Sequence, residues 1–407
     1  MAWILLSFER LAAFETREGN HAMRHQNSVL HSLLKHVPWH KLSQIVEKHG
    51  ADALVRTLSS KQHLIALLYG QLSGATSLRE IVTGLESHQT RLYHLGAVPV
   101  KRSTMSDANG NRPWQVFAEL ATEILQQAHR GLRRTTREAV RLIDSTSIRL
   151  SSLSQDWATF SAEVFGAKAH IIYDPAADRP VYFAVTPANV NDITAAKAMP
   201  IEPGATYVFD LGYYDYGWWA ALDAVGCRFV TRLKKNTPFA AVHENRLRRR
   251  GGNIVSDRIG HLPQRLAQSR KNPLQVPLRE LQVIIDTGKL LRIVTNDLDA
   301  PAEQIADLYK QRWHIELFFR WIKQVLKIKH FIGVSENAVR IQIAVALIAF
   351  VTLRMAQAAQ KAVYGSLEFV RLVRVNLMHR RPIDRLLDAL PSTPANPNQL
   401  SLGIYSQ

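Results

Sequence analysis

Three acidic side chains stand where charge is hard to keep. Asp144 lies in "RLIDSTSI" between apolar neighbours, Asp210 closes the apolar run "ATYVFD", and Glu316 sits in "YKQRWHIELFFRWIKQ" among large apolar residues. A carboxylate in such surroundings is unfavourable unless it is paired or holds a metal. Taken singly, each has an ordinary reading: Asp144 bridges locally, Asp210 caps the next helix, and Glu316 pairs with an arginine. Taken together, acids converging from distant segments suit two hard cations about 3.5–4 Å apart. Such a pair activates a water or hydroxyl and stabilises the leaving oxygen in phosphoryl transfer. Asp174 and Asp192 are competing acids that spacing does not remove.

Glu316 comes with a row of bases. At about 100° per residue, Tyr309, Arg312, Glu316, Arg320, Lys323 and Lys327 fall within an arc of about 80° on one helix. An apolar stripe of Leu308, Ile315, Phe319, Ile322 and Leu326 runs beside it. Ion pairs from Arg312 to Glu316 and from Glu316 to Arg320 stabilise by about 0.2–0.5 kcal/mol each. They leave Lys323 and Lys327 without an acid on the band. That excess of base over acid points to an anionic ligand from outside the helix.

Bulk composition agrees. The 407 residues carry a net charge of +17 and a pI near 10.1, which favours a polyanion, nucleic acid before membrane. The single cysteine, Cys227, excludes an internal disulfide framework and a Cys-based zinc site, and fits a reducing cytoplasm. No membrane span is expected: the longest apolar run, "IAVALIAFVTL" at 343–353, is about half the length a bilayer helix needs and reads as a buried helix. "MAWILLSF" lacks the marks of a signal peptide, and Met23 is the better start, so residues 1–22 read as an extension or loose tail.

The elements that must position these residues change along the chain. Residues 24 to about 130 show helical spacing and no clear strand. There "LLYGQLSGATSLREI" reads as helix, turn, helix, with Ser77 and Glu80 as a capping box, an arrangement also found in DNA readers. "KRSTMSDANGNRP" is either a phosphate-contacting segment or an ordinary polar connection. From about 138 the pattern alternates: a strand holds Asp144, "KAHIIYD" and "VYFAVTP" make a hairpin, a buried strand ends at Asp210, and "CRFVTRL" follows a helix. The result is a mixed sheet with helices. Residues 233 to about 278 are basic and poor in apolar residues, with seven Lys or Arg against one Glu between 231 and 250, including Arg248, Arg249 and Arg250. "LRELQVIIDTGKLLRIVTND" then forms a hairpin before the Tyr309 helix.

These motifs resemble one group of bacterial transposases, the DDE enzymes of the insertion-sequence-four type. Tyr309, Arg312, Glu316 and Lys323 match that group's Tyr-Arg-Glu-Lys signature in identity and spacing. "LIDSTSI", "DLGYY", "VTN" and "FIGVSENAVRIQIAVALI" look like the same family. The region 24–130, with "STMSDAN", resembles its helical N-terminal domain. The resemblance implies a mixed α/β, ribonuclease-H-like core with a β-rich insertion, preceded by an all-α DNA-binding domain. The implied division is 1–22 extension, 23–130 helical domain, 131–232 first part of the core, 233–296 basic insertion, 297–375 second part of the core, and 376–407 tail. It also implies Asp144, Asp210 and Glu316 as ligands for two Mg2+ ions, Mn2+ being a substitute. Tyr309, Arg312 and Lys323 become contacts to the DNA backbone, with Arg320, Lys327 and Arg248–Arg250 as further DNA-binding bases. The partner is double-stranded DNA, element ends and target, bound as a dimer in the cytoplasm. One departure stands out: no Trp occurs between Trp219 and Trp313, where some relatives stack a flipped base, which leaves Phe239 as a substitute. A hydrolysis-only nuclease and an inactive DNA-binding remnant are the alternatives.

Overall fold

Helix punctuation in the N-terminal region follows the side chains that can supply it. The structure, a computed structural model, describes residues 27–132, 139–161, 164–247, 252–265, 271–325, 331–359 and 365–387. Its first helices are α1 (Val29–Leu34), α2 (Trp39–Lys48), α3 (Ser60–Ser73), α4 (Leu78–Ser87), α5 (Arg102–Asn111) and α6 (Trp114–Leu132). Ser59 and Gln62 close a capping box on α3, and Gly74, at φ 82°, ends it. Ser77 caps α4 through the Glu80 amide, but the Glu80 carboxylate reaches Thr76 instead of Ser77, so the expected box is displaced by one residue. The α3–α4 pair crosses closely because Gly70 and Gly84 leave room: a Cβ at either would lie 2.4 Å from Ile81 Cδ1 or Tyr69 Oη.

The sheet is built from β1 (Val140–Arg149), β2 (Thr159–Ser161), β3 (Val164–Asp174), β4 (Arg179–Pro187), β5 (Thr206–Val208), β6 (Arg228–Arg232), β7 (Ala240–Glu244), β8 (Ile254–His261), β9 (Leu278–Ile284) and β10 (Leu290–Thr295). Helices α7 (Asp192–Lys197) and α8 (Tyr216–Ala224) lie between β4 and β6, and α9 (Ala302–Gln311), α10 (Trp313–Val325), α11 (Glu336–Ala358) and α12 (Ser366–Asn376) follow β10. Strands run in the order β2-β3-β1-β5-β6-β10-β9-β8-β7, with β4 also on β3. The antiparallel trio β4-β3-β1 followed by parallel β5 and β6 is the ribonuclease-H-like arrangement expected, in a mixed α/β chain with a helical N-terminal region. The strands of the basic segment do not form a separate sheet: β10 pairs with β6, so they extend the same one.

Two apolar clusters cover the faces of this sheet. One joins the N-terminal helices, the β1 side chains Leu142 and Ile148, and α9 to α12. The other holds Ile143, Tyr207, Phe209, Trp218 and Trp219 under α7 and α8. Period-2 alternation therefore sends Leu142 and Asp144 toward the first face and Ile143 and Ser145 toward the second. Helix α11, Glu336–Ala358, has the length and apolarity of a membrane span, yet 83% of its most apolar window is buried inside the protein. Its apolar surface is spent against α3 and α6.

Candidate active site

The strand register builds the site. Leu142 pairs with Val208 across the parallel strands β1 and β5. The pairing ends there, and Asp144 and Asp210 each follow two residues later, Asp210 just beyond the end of β5. Asp210 remains extended and takes the Gly212 amide on its side chain at 2.8 Å. Gly212 is tightly enclosed: a Cβ there would sit 3.0 Å from Asp210 Oδ1 and 3.2 Å from Asp192 Oδ2.

Glu316 arrives from above, on α10, which packs on β1. The expected single helix through Tyr309 and Gln324 is in fact two, because the chain tightens at Arg312. The amide of Arg312 bonds Tyr309 O and the amide of Ile315 bonds Arg312 O, both over three residues. That joint aims the Arg312 guanidinium between two acids, 3.4 Å from Asp144 Oδ2 and 2.5 Å from Glu316 Oε1. Buried Tyr309 closes the last turn of α9 under the Arg232 guanidinium, 6.0 Å from its ring centroid. Asp144, Ser145, Thr146, Glu316, Phe319, Arg320 and Lys323 line an open cleft of about 430 Å³. Arg320 also lies over the Trp313 ring at 5.7 Å.

The Asp144 carboxyl is pushed up to about 7, chiefly by burial and then by the Asp210 and Glu316 charges, against the Ser145 amide and Arg312. The buried Tyr213 hydroxyl is raised well above its ordinary range by burial and then by Asp144, Asp192 and Asp210 together. Arg312 is held more firmly protonated than usual: burial opposes this, but Tyr309, Glu316 and Asp144 outweigh it.

Of the rival acids, Asp174 belongs to the hairpin turn. It pairs with Arg141 at 3.0 Å and takes the amides of Ala176 and Ala177. Asp192 does reach the site from the other face of the sheet, accepting from Ser145 Oγ at 2.8 Å and Lys168 Nζ at 3.2 Å. Arg232 and Tyr213 were missed by sequence reasoning. Arg232 had a readable signal, since "FVTR" ends in a charge after apolar residues just as "RLID" and "YVFD" do. Lys327 and Arg248, Arg249 and Arg250 lie outside the described residues.

Among the described residues, no group of three His, Cys, Asp or Glu side chains is gathered closely enough to hold a metal ion. The carboxylates of Asp144, Asp210 and Glu316 are the donor type that a hard divalent cation takes, and the Arg312 guanidinium lies between two of them.

Comparison with known proteins identifies the family. Residues 135–352 match the family described as "Transposase DDE domain", and residues 25–98 match "Domain of unknown function (DUF4372)". The y4zB protein of Sinorhizobium fredii (strain NBRC 101917 / NGR234), named as a transposase, is 41% identical over 303 residues, 73% of this chain and 85% of its own. A Geobacillus stearothermophilus protein named as the transposase of insertion sequence element IS5377 is 30% identical over 364 residues, 84% of this chain and 92% of its own. Among solved structures, a piggyBac transposase synaptic complex with hairpin DNA aligns with a TM-score of 0.45 and 11% identity, over 92% of this chain and 84% of that one.

Proposed function

This chain belongs to the DDE transposase family, whose members cleave DNA and transfer strands, and on that premise we propose that it binds the ends of its insertion sequence and moves the element by cut-and-paste chemistry. Members of the family generally depend on divalent metal. Here Asp144, Asp210 and Glu316 would hold two Mg2+ ions, with Mn2+ a substitute. Bound there, they would supply activation of the attacking oxygen and charge neutralisation at the leaving one.

The rest is the work of the chain's own side chains. Arg320 and Lys323 line the cleft beside Asp144 and Glu316, where they hold a backbone phosphate against the acids. Arg312 and Tyr309 close the inner wall and orient that phosphate. Two kinds of displacement at phosphorus supply the chemistry, each repeated until both strands at an end are broken and the 3′ end is joined to target. In the first, water breaks the P–O3′ bond at the element's end and leaves a 3′ hydroxyl. In the second, that hydroxyl attacks another phosphodiester, and the bond to the former 3′ oxygen breaks. Two ends cut together call for a dimer on DNA, in the cytoplasm.

The observation that supports this reading is the parallel pairing of Leu142 with Val208, two residues before Asp144 and Asp210, together with the Asp210 and Glu316 charges that both act on the Asp144 carboxyl. Purified protein, Mg2+ and duplexes copied from the DNA flanking its gene test it. Wild type should nick the end and join it to a plasmid, and Glu316→Gln should do neither. Efficient cutting with no joining in repeated assays would return a hydrolytic nuclease instead. Identical products from both proteins would overturn the catalytic assignment.

A further inference from the structure

The row of strand-end charges does not stop at Asp210. Val230 pairs with Val208 across β6 and β5, and β6 ends at Arg232 as the chain beyond β5 reaches Asp210. Thr231 Oγ1 donates to the Asp210 carbonyl at 3.5 Å, and Arg232 and Asp210 both act on the Tyr309 hydroxyl. Among the described residues, the buried Arg232 Nε has no hydrogen-bond acceptor. A buried guanidinium nitrogen in that condition asks for an explanation, and an acceptor brought by a ligand supplies one.

Immediately after Arg232 the chain enters a loop that is held from beneath. Arg292 donates to the carbonyls of Lys234, Lys235 and Thr237 at 3.1, 2.9 and 2.8 Å. Its Nε is in turn anchored on Glu280, a fully buried carboxylate that also meets Arg258. Tyr214 Oη bonds Thr237 Oγ1 at 2.8 Å, and the Lys234 ammonium lies 4.7 Å from the Tyr214 ring centroid. With its carbonyls drawn inward, the loop leaves Lys234, Lys235 and Asn236 exposed.

Two exposed lysines alone are ordinary surface charge. These two sit on a loop already ordered by four hydrogen bonds from Arg292 and Tyr214, so little further ordering opposes binding. They also rise from the carboxyl edge of a parallel strand, the edge where Asp144 and Asp210 lie and where open α/β sheets bind ligands. We propose that Arg232, Lys234 and Lys235 form a second phosphate-binding shelf for the DNA backbone, across Asp210 from the Arg320–Lys323 cleft. The acids then lie between two cationic walls, and a duplex is gripped on both sides of the bond to be cut. The inference rests on the transposase reading.

The test is fluorescence anisotropy of a labelled duplex, copied from the DNA flanking the gene, titrated at several KCl concentrations. Each lost phosphate contact lowers the slope of log K against log salt by about 0.9. Lys234→Ala with Lys235→Ala should therefore flatten the slope by about 1.8, and adding Arg232→Ala by about 0.9 more. Both lysines are exposed, so the double variant keeps its fold and stands as the decisive arm. An unchanged slope and affinity in that variant overturns the shelf while leaving the transposase reading intact. A wild-type protein that shows no salt-dependent DNA binding overturns both.

Discussion

The same residue types make two opposite devices in this molecule. In the strands after β6, Asp257 is gripped by Arg279 through two parallel bonds of 2.8 and 2.7 Å, and Glu280 is shared by Arg258 and Arg292. Their side chains are 4% and 0% exposed, and every carboxylate meets a guanidinium. Around Asp144 a single guanidinium, Arg312, spans Asp144 and Glu316, while Asp210 takes the Gly212 amide. The closed set, two carboxylates under three guanidiniums, leaves neither acid unpaired and so serves architecture: it fixes the register of β8 and β9 and pins a loop. The open set holds more acid than its arginine neutralises and keeps its carboxylates partly wet, which is what a cation-binding site requires. Ion pairs in a fold are thus sorted into scaffold and machinery by how completely they are satisfied, not by composition.

The contrast breaks first, and with the largest effect, at Asp144. Asp144→Asn removes a metal ligand while leaving volume and shape, so cleavage in Mg2+ should fall by about 10³-fold or more, the several kcal/mol that a bound ion contributes to the transition state. Stability should move the other way. Burial pushes the Asp144 carboxyl up to about 7 in the folded protein, against an ordinary aspartate value of 3.8. Ionising Asp144 in the metal-free fold therefore destabilises it progressively as pH rises from about 4 through 7. The asparagine variant escapes that loss, so its thermal midpoint in EDTA at pH 8 should exceed that of wild type, and the gap should close toward pH 4. A variant that cuts at the wild-type rate, or melts lower at pH 8, would break the comparison. At Glu280 the expectation reverses. Glu280→Ala leaves Arg258 and Arg292 facing an empty buried site, and removing one partner of a buried pair typically destabilises by about 3–5 kcal/mol. Urea unfolding should show it, and a loss under 1 kcal/mol would mean that the set is not architectural.

How much of this could be read from residues alone depended on whether the signal was local. The strand containing Asp144, the β3–β4 hairpin and the helix around Glu316 follow from periodicity, because burial on one face writes itself into neighbouring residues. The register that pairs Leu142 with Val208, two residues before Asp144 and Asp210, reaches across more than sixty positions, and no local pattern encodes it. Arg232 escaped notice for the same reason, since its meaning comes from the strand beside it. The joint at Arg312 contains neither Pro nor Gly, so nothing in the sequence announces that the helix divides there. The seam between β6 and β10 was also hidden: a basic, loop-rich stretch reads as a separate insertion until its last strand is seen to join the core sheet.

The smallest effect sharpens the comparison most finely. Lys323 lines the open cleft with Asp144 and Glu316, and Arg258, 29% exposed by side chain, serves the closed set. Both are partly accessible bases near a glutamate, and composition cannot rank them. If the cleft is machinery, Lys323→Ala should flatten the salt slope of DNA binding by about 0.9, one phosphate contact, and change folding stability by less than about 0.5 kcal/mol. Arg258→Ala should do the reverse, leaving the slope alone while lowering stability, because the fully buried Glu280 then loses one of its two guanidinium partners. Anisotropy and urea titrations on the two proteins read both quantities. Matching behaviour in either assay would show that satisfaction of the carboxylate does not decide the role of the base beside it.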